Sequence, residues 1–194
     1  MNKNRMETFS DGVIAIIITI MVLEMRAPHS ADFASLRPLL PVIMSYLLSF
    51  IYLGIYWNNH HHLMSTVKQI SGGILWANLH LLFWLSLVPF VTAWMGENEF
   101  ARATLALYGI ILLMSAIAYY VLQGQILIKH GKDSKLAIAI GKDLKGKMSP
   151  VLYLIAIAST FFNGWIAGAI YVLVALMWLV PDKRIEQVLD KDER

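Results

Sequence analysis

Five long stretches of this chain carry no formal charge, and their lengths decide what it can fold into. With histidines counted as neutral, they hold 12 residues between Asp11 and Glu24, 30 between Arg37 and Lys68, and 28 between Lys68 and Glu97. A further 26 lie between Arg102 and Lys129, and 34 between Lys147 and Asp182. A helix crosses a bilayer with ~20 mostly apolar residues. The second, third and fourth gaps therefore each predict one span. As a single helix the 34-residue gap would reach about 51 Å at ~1.5 Å per residue, too long for one crossing. Asn163-Gly164 at its middle reads as a tight turn, so two short helices are predicted, at roughly 150–162 and 165–180. Composition agrees: 58% of the 194 residues are apolar and 15% charged, against ~45–50% and ~25% in soluble domains. A disordered chain is excluded, and one membrane domain over residues 1–194 is expected.

Charge placement gives the topology. Lys and Arg favour the cytoplasmic side of short loops. Residues 129–147 hold six lysines and the segment after Asp182 four more basic residues. An even number of crossings must separate two cytoplasmic segments, which again requires two helices in the last gap. With Lys3 and Arg5 also inside, four crossings precede the lysine-rich loop. Thirteen basic residues then lie inside and three outside, namely Arg26, Arg37 and Arg102. The expectation is an all-α polytopic protein of the cell (inner) membrane, with six spans and both termini cytoplasmic. The net charge of +3 follows from this orientation and implies no nucleic-acid partner.

The first gap is too short to cross. A cleaved leader fits poorly, because Glu7 and Asp11 flank the apolar run and no small-x-small site follows it directly. A retained helix must extend back through Asp11, to about Arg5, which places an acid inside the membrane domain; such acids are costly and are functional candidates. The plainer alternative is that Ser10 or Asp11 caps a helix beginning at Gly12. Ile16, Thr19/Ile20 and Leu23 recur at helical spacing and form one stripe. Asp11 lies about 140° away, with Ala15, Ile18 and Val22. Either stripe can also be read as simply lipid-facing.

Span two ends in Tyr56-Trp57-Asn58-Asn59-His60-His61-His62. Successive helical residues point about 100° apart, so three adjacent histidines do not converge on one metal ion. Trp57, His60 and His61 share a face at the depth of Asp11. His60 or His61 is the expected partner of that acid, set against a plain interfacial belt of aromatics and histidines. In span three, Asn78 is suited to an interhelical hydrogen bond and Pro89 to a kink. Gly109, Gly164 and Gly168 read as points of close packing. The chain has no cysteine, nucleotide-binding glycine loop, GxSxG, HExxH or TVGYG motif, so an enzyme is not expected, nor a cofactor or bound metal.

Arg5-Met6-Glu7-Thr8-Phe9-Ser10-Asp11 strongly resembles the RxxxFSD signature of the bacterial relatives of transmembrane protein 175, the lysosomal potassium channel. Tyr56-Trp57 with Asn59-His60-His61, and Asn78 with Pro89-Phe90 and Thr92-Ala93, extend the resemblance. It implies a potassium channel, weakly selective over sodium, assembled as a homotetramer in the lipid bilayer, with the first helix of each subunit lining the pore. The constriction would be built from Ile16, Thr19, Ile20 and Leu23. Arg5, Phe9, Ser10 and Asp11 would join Trp57, Asn59, His60, His61 and Asn78 in a motif and polar network away from the pore axis. The permeant ion would be K+. The competing reading is a proton-coupled transporter or proton pathway through Asp11 and His60.

Overall fold

The computed structural model describes residues 2–131 and 144–179. Its helices are α1 (Lys3–Leu23), α2 (Leu40–Ser65), α3 (Gly72–Ser86), α4 (Val88–Glu97), α5 (Arg102–His130), α6 (Leu144–Ser159) and α7 (Gly164–Leu179), with a 3-10 helix at Phe33–Leu39 before α2. The described residues contain no strand. Four helical stretches are long and apolar enough to cross a membrane alone: Lys3–Leu23, Phe33–Ser65, Gly72–Glu97 and Arg102–His130. Helices α3 and α4 are two halves of one such stretch, and α6 and α7 complete the six membrane helices as a hairpin. The chain is thus an all-α, multi-pass membrane protein. Most of the lysine-rich loop and the whole tail from residue 180 lie outside the described residues.

Helix α1 begins at Lys3, with the Asn2 side chain capping it through the Asn4 amide. This overturns the alternative in which Ser10 or Asp11 caps a shorter helix. Both side chains are engaged elsewhere: Ser10 Oγ donates to the Met6 carbonyl one turn back, and Asp11 accepts a hydrogen bond from α2. Twenty-one residues reach about 32 Å, enough for a ~30 Å hydrocarbon core.

Pro89 is the second residue of α4, just past the interruption at Leu87, as the kink required. The final hairpin departs from the expected bounds. Pro150 lies inside α6 rather than opening it, and α6 ends at Ser159. Its last carbonyls are taken up early: Ser159 and Thr160 hydroxyls bond the Ala156 and Ile157 carbonyls. This local competition favours ending a helix. Asn163 Oδ1 then accepts from the Trp165 amide and opens α7.

Inside lipid, apolar burial drives little association between helices, so close packing and hydrogen bonds hold them. Gly109 of α5 makes room for the Tyr171 hydroxyl of α7, which donates to the Leu105 carbonyl at 2.9 Å. Gly164 lies against the Leu105 side chain. Gly168 does not belong to this set: a methyl group there would meet nothing, and the neighbouring Ala167 takes the buried position.

Contacts place the start of α1, the end of α2, the start of α3, the end of α5 and the start of α6 at one end of the bundle. His61 lies 3.4 Å from Glu7, and Lys68 and Gln69 amides donate to His130 Nε2. Trp178 Nε1 donates to Ser149 Oγ. Lys3, Arg5, Lys68, Lys129, Lys145 and Lys147 all map to that end, whereas Arg26, Arg37 and Arg102 map to the other. Arg102 there bonds the Phe161 carbonyl of the α6–α7 hairpin. Among the described residues the charge separation read along the sequence is a separation in space.

Candidate functional site

Helix α1 presents three different surfaces, each fixed by helical spacing. Met6, Ser10, Ile14, Ile17 and Met21 are buried against α2, α3 and α4. Glu7 and Asp11 turn toward the end of α2. Ile16, Thr19, Ile20 and Leu23 form the outward stripe; Ile16 is 60%, Ile20 41% and Leu23 73% exposed in the single chain. Thr19 is exposed too, and its hydroxyl donates to the Ala15 carbonyl at 2.9 Å. Its proton is thus taken up within the helix, and its oxygen lone pairs remain free to accept.

A buried polar cluster sits behind that stripe. Asn78 of α3 donates through Nδ2 to Ser10 Oγ at 2.9 Å, and its Oδ1 lies 2.8 Å from His60 Nε2. The direction is forced. Ser10 spends its proton on Met6 and can only accept, so Asn78 turns its amide nitrogen there and its carbonyl toward His60. His60 must then carry its proton on Nε2. Its Nδ1 is buried and has no hydrogen-bond partner among the described residues. Three helices are joined in this way through three side chains.

The partner expected for Asp11 is corrected. Neither His60 nor His61 takes it; Trp57 Nε1 donates to Asp11 Oδ1 at 3.0 Å. The indole reaches the carboxylate from α2, while the His60 ring points inward to Asn78. His61 stacks on Trp57 with ring centroids 6.4 Å apart and pairs with Glu7. Asp11 is only partly buried, which is why a single neutral donor suffices.

Other motif residues stand apart from the cluster. Arg5 and Phe9 are exposed in the single chain, Phe9 by 53%, because they lie about 120° round the helix from the buried face of Met6, Ser10 and Ile14. Asn59 faces α5: its Nδ2 donates to the Ile55 carbonyl, and its own carbonyl accepts from Tyr119. Among the described residues no three His, Asp or Glu side chains converge as metal ligands.

A second buried cluster escaped the sequence reading. Thr92 of α4 lies 2.7 Å from Ser49 of α2, which lies 3.0 Å from the Tyr108 hydroxyl of α5. Hydroxyls within charge-free spans are the signal for it.

The profile of the family described as "Endosomal/lysosomal potassium channel TMEM175" matches residues 5–89, a stretch that holds α1 from Arg5 onward, the Ser10–Asn78–His60 cluster and Pro89. A potassium channel of Chryseobacterium sp. (strain P1-3) is 56% identical over 192 residues, covering 99% of this chain and all of that protein. The crystal structure of "a lysosomal potassium-selective channel TMEM175 homolog" from Chamaesiphon minutus superposes with a TM-score of 0.81 at 30% identity, covering 93% of this chain and 97% of that one. The mouse endosomal/lysosomal proton channel TMEM175 is 29% identical over 114 residues, which span 53% of this chain and 22% of that protein. With fold, length and sequence in agreement across nearly the whole chain, this protein belongs to the TMEM175 family.

Proposed function

We propose that the chain, as one six-helix domain over residues 1–194, is a subunit of a homotetrameric potassium channel in the cell (inner) membrane. The α1 helices of four copies line the pore, and Ile16, Thr19, Ile20 and Leu23 form its constriction. The observation that carries this reading is the outward stripe of α1. Bulky apolar side chains recur there at helical spacing, on a helix anchored from behind by the Ser10–Asn78–His60 cluster. A ring of Ile16 or Leu23 side chains makes a narrow neck that gates by excluding water. Potassium surrenders hydration more readily than sodium, so a neck that strips part of the water shell favours potassium weakly, and four Thr19 oxygens offset part of the loss. Permeation then needs no cofactor. The names of the bacterial relatives support potassium as the ion, and the basic end of the bundle is cytoplasmic by the charge rule.

The test is flux of potassium and of sodium into liposomes holding the purified protein. Ile16→Asn and Leu23→Ala should each change flux or its ion preference while the protein stays folded; unchanged flux in both overturns the pore assignment. The second reading, a proton pathway through Asp11 and His60, draws support from the mammalian relatives named proton channels. It predicts that Asp11→Asn abolishes transport without unfolding. Against it stands the geometry: the two side chains make their hydrogen bonds to Trp57 and Asn78 rather than to each other.

A further inference from the structure

We infer that the hydroxyl chain Tyr108–Ser49–Thr92 is a positioning device for the outer half of the pore: it ties α4 to α2, and α4 in turn sets the stance of α1 at Ile20 and Leu23. The inference rests on the pore reading above and adds residues that lie outside the stripe. Its direction follows from counting protons. Thr92 Oγ1 donates to the Val88 carbonyl at 2.7 Å, so Thr92 can only accept from Ser49, and Ser49 can only accept from Tyr108. The chain Tyr108→Ser49→Thr92→Val88 leaves no hydroxyl proton unplaced, and all three side chains are buried.

The kink explains why α4 needs this tie. Pro89 has no N–H for the carbonyl of Leu85, and the helix is interrupted at Leu87. Across the interruption the Leu87 amide bonds Trp84 and the Val91 amide bonds Leu87, a thinner ladder than an unbroken helix has, so packing and side-chain bonds share in fixing the direction of α4. Helix α4 also packs against α1, and beside the tie Thr92 and Ala93 line a cavity of about 10 Å³ with Met21 of α1 and Val42 and Ser45 of α2. Met21 is buried one position beyond Ile20 and two before Leu23. A shift of α4 reaches the constriction through the packing of α4 on α1.

Proton counting also separates the variants. Thr92→Val takes the interhelical acceptor from the Ser49 O–H, which can then turn only to a carbonyl of its own helix, and Ser49→Ala leaves the Tyr108 O–H an unpaired buried donor. Both release α4 from α2. Tyr108→Phe strands no donor and leaves the α4–α2 tie whole. The triple variant Thr92→Val, Ser49→Ala, Tyr108→Phe strands no hydroxyl at all, yet the tie is absent.

The experiment measures thermal stability in detergent and the potassium-to-sodium flux ratio in liposomes for these four variants, for Thr92→Ser, and for Ile16→Asn. Thr92→Val and Ser49→Ala should lower stability and move the flux ratio toward unity by roughly threefold. Tyr108→Phe and Thr92→Ser should keep the ratio. The triple variant should regain stability while its ratio stays shifted. A ratio that recovers together with stability overturns the positioning role, as does an unchanged ratio in Thr92→Val where Ile16→Asn alters it. Absence of potassium flux in the unsubstituted protein overturns the pore reading and this inference together.

Discussion

The two sides of α1 are built from the same sequence of 21 residues and have opposite relations to the rest of the chain. The inner side, Met6 to Met21, is buried, and at Ser10 it is hydrogen-bonded to α3 and through it to α2. The outer side, Ile16 to Leu23, is apolar and exposed within the subunit. The proposed pore requires this asymmetry, a helix held in place on one side that offers its other side to further copies. In lipid the anchor has to be polar or tightly packed, because apolar burial alone gives helices little preference for one another.

That contrast is most open to challenge through substitutions on each side. The largest permeation effect is expected from Leu23→Ala or Ile16→Asn, which widen or wet the proposed neck, with the melting temperature in detergent nearly unchanged; a collapse of stability in either would mean that the outer face is a packed interior. The largest folding effect is expected at Asn78. Asn78→Leu leaves the His60 Nε2–H and the Ser10 oxygen without their partner and should cost about 1–3 kcal/mol, read as a shifted denaturation curve. Thr19→Val removes four oxygens from the proposed ring and should lower potassium preference by less than the neck substitutions do, since the neck itself strips the water shell, with folding unaffected.

The smallest effect is expected at Asp11. A carboxylate buried among histidines predicts that Asp11→Asn harms folding or assembly. The geometry changes that expectation. The substituted amide keeps an oxygen for the Trp57 N–H, and the site is partly open, so the loss should stay below about 1 kcal/mol, as for most single hydrogen bonds in membrane proteins. Asp11→Leu, which removes the acceptor, should exceed it in the same denaturation assay. Loss of all transport in a folded Asp11→Asn protein would instead favour the proton pathway.

Much of this was legible in the sequence because the bilayer imposes simple rules. Charge-free runs must be helical to satisfy their backbone, so the gap lengths gave the number of spans. The stripe from Ile16 to Leu23 followed from helical spacing, and Pro89 announced the kink. Partner choice was less accessible. Trp57, His60 and His61 lie on one face of α2, so spacing alone permitted any of them to meet Asp11. The ends of the last hairpin also shifted, since hydroxyls at Ser159 and Thr160 compete for carbonyls that a hydropathy reading cannot see.

The sequence by itself determined the spans, the sorting of basic residues along the chain, and the grouping of Ile16, Thr19, Ile20 and Leu23 on one face of α1. These depend on local periodicity and on charge, which are properties of a segment. Only the tertiary structure decided that Trp57 takes Asp11, that Asn78 joins Ser10 to His60, and that Ser49, Thr92 and Tyr108 meet at all. Such bonds depend on how helices distant in sequence rotate against each other, and each hydroxyl or amide could have been satisfied in several other ways until that rotation was fixed.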